Sequence, residues 1–270
     1  MTGGMFMEIT DNRIDAGKAF DWGKTSEEYA KFRDIYPDIF YQKVADRGLC
    51  VDGQKVLDLG TGTGVLPRNM YKFGAKWTGT DISPEQIEQA KILASEGNMD
   101  IDFRAVSTEK LDFPEGAFDV VTACQCFWYF DHEKVMPELY KILKPDGRIV
   151  ILFMAWLPEE DKIAGASEKM ILKYNPTWSG GRETRRPIWI PECAFDLFEL
   201  EDQEIYDVNV PFTRDSWHGR IFASRGIGAS LSPEELEKWD KEHRALLAEI
   251  APEQFDILHY CALAVLKKKI

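Results

Sequence analysis

Val56-Leu57-Asp58-Leu59-Gly60-Thr61-Gly62-Thr63-Gly64-Val65-Leu66-Pro67 is the stretch that decides how the rest of the chain is read. Val56, Leu57 and Leu59 have the character of a buried parallel strand. Gly60, Gly62 and Gly64 then form a turn that is free to take positive φ and to bring backbone N–H groups close to a ligand. A dinucleotide fingerprint requires G-x-G-x-x-G. Here the third site falls on Val65 in one register and on Pro67 in the other, so the pyrophosphate pattern is incomplete. Asp58, at the strand end, repels phosphates and suits a ligand with cationic groups.

Working outward, strand and helix signals alternate. Val65 to Phe73 reads as a helix and Ala75 to Thr80 as a second strand closing on Asp81. Asp81 lies 21 residues after Gly60, where an acidic side chain can accept hydrogen bonds from two ribose hydroxyls. Ser83-Pro84-Glu85 opens the next helix, with serine as N-cap and proline in the first turn. Asp100 to Ala105 is a third strand and Phe118 to Ala123 a fourth, followed by the run Cys124-Gln125-Cys126-Phe127-Trp128-Tyr129-Phe130. A helix over Asp131 to Leu143 leads through Lys144-Pro145-Asp146-Gly147 to a fifth strand at Ile149 to Phe153. Further strands near Ile205 to Phe212 and Ile257 to Leu266 would complete a sheet of seven. The expected architecture is α/β: a doubly wound, mostly parallel seven-stranded sheet with a helical cap built from insertions.

These motifs together resemble class I methyltransferases that use S-adenosylmethionine (SAM), in particular the broad methyltransferase type 11 group, from about Val56 to Leu152. The sulfonium and ammonium of SAM agree with Asp58. The resemblance implies a cofactor set of Asp58, Gly60, Thr61 and Gly62 on the turn, and Asp81, Ile82 and Gln86 beyond the second strand. Ser107 and Thr108 would follow the third strand, and Cys124 and Gln125 the fourth. Ser107 stands where similar enzymes often carry Asp for the adenine amine, and Trp128 where many carry His. In the N-terminal segment the resemblance implies that Tyr29 and Arg33 close over the methionine end, with Arg33 on its carboxylate. The aromatic end of the fourth strand and the cap are also similar to small-acid carboxyl methyltransferases of the trans-aconitate type.

Residues 1–45 are expected as an arm and helices over the cofactor, 46–156 as the SAM-binding core and 157–200 as a cap insertion. Residues 201–270 would return the last strands around a second insertion at 213–252. Six of the thirteen arginines fall between Arg182 and Arg225 in a chain of net charge −13. They are either salt-bridged or form a cationic pocket for an anionic acceptor. Trp128, Tyr174, Trp178, Arg186, Trp217 and Arg220 are the candidate acceptor-binding residues, and His218 the candidate general base. Tyr174, Trp178 and Trp217 could equally be cap core. The expected activity is methyl transfer from SAM to a small molecule, an anionic or carboxylate metabolite. The alternatives are C-, O- or N-methylation of an apolar metabolite, and a SAM-binding sensor without turnover.

Composition sets the outer bounds. An acidic chain lacks the basic face that nucleic acid requires, so no nucleic-acid partner is expected. No apolar run reaches the roughly 20 residues of a membrane span, and no leader pattern opens the chain, so a cytoplasmic location without membrane partners is expected. Five scattered cysteines argue for free thiols, and no ligand spacing points to a metal.

Overall fold

The computed structural model describes residues 10, 12, 14–20, 31–32 and 34–269. Among the described residues seven strands form one sheet: β1 (Lys55–Leu59), β2 (Lys76–Asp81), β3 (Asp102–Ala105), β4 (Phe118–Cys124), β5 (Leu143–Trp156), β6 (Phe198–Thr213) and β7 (Gln254–Lys268). Their order is β3-β2-β1-β4-β5-β7-β6. β1 to β5 are parallel, with Asp58 opposite Gly79 of β2 on one side and Thr122 of β4 on the other. The order reverses between β1 and β4, which opens a crevice outside their carboxyl ends. The doubly wound, mostly parallel architecture is therefore the one present.

The α-helices among the described residues are α1 (Asp38–Ala45), α2 (Val65–Met70), α3 (Pro84–Glu96), α4 (His132–Ile142), α5 (Lys162–Tyr174), α6 (Ala194–Leu197), α7 (Arg214–Phe222) and α8 (Pro233–Ile250). Their starts follow local chemistry. The Ser83 hydroxyl accepts the Gln86 N–H of α3, the Asp161 carboxylate accepts two N–H groups of α5, and Thr213 and Ser232 make capping boxes with Ser216 and Glu235.

The chain forms two compact units. One contains the described residues up to Ile35 together with Ala155–Arg185 and Asp207–Tyr260; the other contains Tyr36–Met154, Arg186–Tyr206 and the chain from Cys261. In the second unit, Leu57 and Leu59 of β1, Val121 and Ala123 of β4, and Val135, Met136 and Leu139 of α4 share one buried cluster. Each fully buried side chain of this kind contributes about 1.5–3 kcal/mol.

The stretch read as a single cap insertion, 157–200, divides between the units at Arg185. Ile188, Ile190, Cys193, Ala194, Leu197 and Phe198 pack on the cluster just described, so this part belongs with the core. β5 also begins earlier than expected, at Leu143. The register to β4 jumps from Phe118↔Leu143 to Val120↔Arg148, and that irregularity absorbs the Lys-Pro-Asp-Gly turn.

Candidate cofactor and acceptor site

The glycine turn lies at the carboxyl end of β1. Gly60, Gly62 and Gly64 have φ of 57°, 56° and 73°, a region that L side chains enter only at a cost. At Gly60 a Cβ would lie 2.8 Å from Cys126 Sγ, so close packing as well as φ keeps this position bare. The Cys126 thiol donates to the Leu59 carbonyl at 3.0 Å and forms the floor of the turn. Burial pushes that thiol well above its ordinary range, which keeps it neutral.

Asp58 is fully buried beneath the turn. Its oxygens accept the hydroxyls of Thr61 and Thr122, both at 2.6 Å. Burial drives its pKa up to about 7 and the Asp81 charge adds to the rise, while the two hydroxyl bonds oppose it. The sequence reading has Asp58 facing a cationic ligand; in the fold both oxygens are turned to the chain, and the residue braces the turn. Thr122 is missed by that reading. A lone polar residue within Val-Val-Thr-Ala, in register with Asp58, was the available signal.

Asp81 ends β2. One of its oxygens accepts the Gly62 N–H and the other the Ser83 N–H, each at 2.9 Å. Burial raises its pKa and these backbone bonds oppose the rise. Each oxygen keeps lone-pair capacity for a further donor. Ile82 is exposed beside it and Gln86 is buried in the first turn of α3. The Val106 N–H bonds the Asp81 carbonyl at 2.8 Å, which sets the loop with Ser107 and Thr108 next to Asp81.

Beyond β4, Gln125 has φ of 65°, donates its backbone N–H to Leu152 and turns its amide to the Met154 carbonyl. Trp128 follows in a short 3-10 turn, 38% exposed, with its ring edge-on to Phe153 of β5 at 5.1 Å. The eleven described cofactor candidates are thus gathered at the carboxyl ends of β1 to β4, all within the second unit. Tyr29 and Arg33 lie outside the described residues.

This edge fits a nucleoside. A positive-φ turn allows close backbone approach, and an acceptor-only carboxylate at the tip of the neighbouring strand matches two hydroxyl donors. Comparison with known proteins agrees. Residues 57–151 match the family described as "Methyltransferase domain". A demethylmenaquinone methyltransferase of Thermus thermophilus is 36% identical over 114 residues, covering 41% of this chain and 52% of that protein. A ubiquinone biosynthesis O-methyltransferase of Pseudomonas entomophila is 29% identical over 161 residues, covering 58% of this chain and 68% of that protein. Residues 57–151 are a methyltransferase domain of this family.

The chain spans about half the length of the first of these relatives and about two thirds of the second. Among solved structures, the YcgJ protein of Bacillus subtilis superposes with a TM-score of 0.51 at 19% identity, covering 87% of this chain and all of that one. The [4+2]-cyclase SpnF superposes with 0.51 at 20% identity, covering 86% of this chain and 81% of that one. Such likenesses establish the fold of the methyltransferase domain, which hosts more than one chemistry.

Of the acceptor candidates, Trp128 and Arg186 belong to the unit that holds the methyltransferase domain, and Arg186 is exposed. Tyr174, Trp178, Trp217, Arg220 and His218 belong to the other unit. There Trp217 and Trp178 are core: both are buried, and the Trp217 indole donates to Ser167 Oγ at 2.9 Å. Tyr174, at the end of α5, has its pKa raised by burial first and then by Glu242. Arg220 is buried with its guanidinium 5.0 Å over the Trp156 ring.

The arginines of this stretch are largely committed to the chain. Arg185 pairs with Glu160 and Asp207, Arg225 with Asp15, and Arg214 donates to the Ala251 carbonyl. The salt-bridged alternative therefore accounts for Arg185, Arg214 and Arg225, three of the six.

His218 is corrected as a candidate base. It is buried in α7 and stacked on Trp239, with Nε2 2.9 Å from Asp240 and Nδ1 2.9 Å from His243 Nδ1. The Asp240 carboxylate only accepts, so His218 carries its proton on Nε2 and accepts at Nδ1 from His243. His243 Nε2 then accepts from the Ser167 hydroxyl at 3.0 Å, and Ser167 in turn accepts from Trp217. Every member of this chain is satisfied with both imidazoles neutral, and both ring nitrogens of His218 are engaged. Burial lowers the pKa of His218, and that of His243 to about 3.

Proposed function

We propose that the chain transfers the SAM methyl group to a small-molecule acceptor with a planar, apolar ring, and that the ring lies against Trp128. The observation that carries this reading is the half-exposed Trp128 ring, set edge-on to Phe153 at the carboxyl ends of β4 and β5, beside the glycine turn. In an open α/β sheet the crevice at these strand ends is where ligands meet. The names of the two relatives, a demethylmenaquinone methyltransferase and a ubiquinone biosynthesis O-methyltransferase, support a ring acceptor over a carboxylic acid. They lend nothing to the narrower likeness to trans-aconitate-type enzymes. The internal pairing of Arg185, Arg214 and Arg225 likewise weighs against a carboxylate pocket.

Bound SAM supplies a methyl group on a positively charged sulfur, open to in-line attack. Asp81 would accept hydrogen bonds from the ribose hydroxyls, and the turn, held in shape by Asp58 and Cys126, would admit the ligand close to the backbone. Gln86, Cys124 and Gln125 would line the path toward the methyl. Trp128 and Phe153 would orient the acceptor ring and displace water, and in such a reaction orientation and water exclusion carry much of the rate.

The test begins with calorimetric titration of the chain with SAM and S-adenosylhomocysteine. Transfer of a labelled methyl group is then measured to hydroxylated aromatic rings and, separately, to aliphatic carboxylic acids. Binding with transfer to rings is the expected result. Transfer confined to carboxylic acids would overturn the ring assignment, and absence of SAM binding would overturn the cofactor reading itself.

A further inference from the structure

In the loop after β3 the cofactor candidate Ser107 is paired with Glu109, a residue with no role so far. The Ser107 hydroxyl donates to Glu109 Oε2, and Ser107 Oγ accepts the Glu109 N–H at 3.4 Å. The other carboxylate oxygen of Glu109 lies 3.4 Å from the Asp131 N–H at the start of α4, so the carboxylate is held from two sides. A serine hydroxyl is ordinarily ambivalent, a donor or an acceptor as its hydrogen rotates. Here the hydrogen is committed to a carboxylate, and Ser107 presents lone pairs alone.

Topology places this pair relative to a nucleoside bound as proposed above, and the inference rests on that reading. With the ribose on Asp81 at the tip of β2, the glycine turn of β1 lies on one side and the loop after β3 on the other. The 5′ substituent, which carries the sulfur, must reach toward β1 and β4, where the crevice is. The base leaves the ribose at the opposite carbon and so extends over β3 and its loop.

We infer that Glu109 is a positioning residue for base selection: by holding the Ser107 hydroxyl hydrogen it turns Ser107 into an obligate acceptor, which selects a 6-amino purine over a 6-oxo purine. An exocyclic amine donates to such an oxygen, whereas an exocyclic carbonyl meets its lone pairs head-on. Released from Glu109, the hydroxyl would rotate and donate to the carbonyl, and the selection would fade.

The experiment measures the affinities of S-adenosylhomocysteine and its 6-oxo analogue, S-inosylhomocysteine, by calorimetry for the wild-type chain, Glu109→Ala, Glu109→Gln and Ser107→Ala. The readout is the ratio of the two affinities in each protein, which a general loosening of the loop leaves unmoved. The wild-type chain should favour the amine, and Glu109→Ala should lower the ratio by about three- to tenfold, the range of one hydrogen bond. Glu109→Gln keeps an amide oxygen that accepts the serine hydrogen and should retain most of the ratio, while Ser107→Ala should resemble Glu109→Ala. An unchanged ratio in Glu109→Ala overturns the inference. A ratio that falls equally in Glu109→Gln also overturns it, because the carboxylate charge rather than the hydroxyl direction would then be responsible. If no protein in the series binds either ligand, the cofactor reading fails instead.

Discussion

Acidification should destabilise the packing around α7 and α8, and His243 should carry a defined share of the loss. His243 is fully buried between His218 and Ser167, and its pKa is lowered from 6.5 to about 3, by burial first and then by His218 and Arg244. A histidine depressed in this way stays neutral in the folded chain while the unfolded chain takes up a proton. Its contribution is therefore complete above pH 6.5 and drains away as pH falls toward 3. At pH 5 the unfolded imidazole lies 1.5 units below its own pKa, which amounts to about 2 kcal/mol lost from this residue alone. His259, buried and lowered to about 4, should lose about as much over the same interval. The assay is urea unfolding at pH 7.5 and pH 5.0, followed by tryptophan fluorescence, to which Trp239, stacked 4.8 Å from the His243 ring, contributes. The two histidines together should cost the wild-type chain about 4 kcal/mol between the two pH values, partly offset by Asp58, whose pKa of about 7 lets the folded chain take up a proton over the same interval. In His243→Gln the chain should start lower, because a buried partner is lost, yet the loss on acidification should shrink by about 2 kcal/mol. If the substituted and wild-type chains lose the same amount, the proton assignment along Trp217, Ser167, His243, His218 and Asp240 is refuted.

Three further outcomes follow from the edge of the sheet. Asp81→Asn retains one acceptor where Gly62, Ser83 and the ribose each need one, so calorimetry should show SAM affinity reduced by about ten- to a hundredfold with the fold intact. Gly60→Ala must place a Cβ against Cys126 at positive φ, and the expected result is about 1–3 kcal/mol of lost stability in chemical denaturation together with weaker SAM binding. Trp128→Ala should raise the KM for a ring acceptor several-fold while leaving SAM affinity unchanged; a loss of SAM affinity would place Trp128 on the cofactor side.

The parts of this molecule that could be read in advance are those encoded over short distances. The glycine spacing, the apolar strand runs and the interval from Gly60 to Asp81 are local patterns, and they locate the turn, the strand ends and the carboxylate. What could not be read depends on partners distant in sequence. Asp58 looks like a ligand-facing acid until Thr122, 64 residues away, turns its carboxylate inward. His218 looks accessible in Ser-Trp-His-Gly-Arg until α8 supplies Asp240 and His243. The arginines between Arg182 and Arg225 form a cluster in sequence, but in space Arg185 meets Glu160 and Asp207 while Arg225 meets Asp15. Charge patterning along a chain shows that ion pairs are available, not which ones form.

Gly60 and Cys126 draw on a single small volume. Residue 60 is bare because its backbone disfavours a side chain and because a sulfur from beyond β4 already occupies the place of one, so these positions cannot vary independently. A library that randomised only the turn would recover glycine at 60 whatever ligand it was selected against. Remodelling the cofactor turn would have to begin 66 residues downstream, by emptying position 126, before the turn itself could be redesigned.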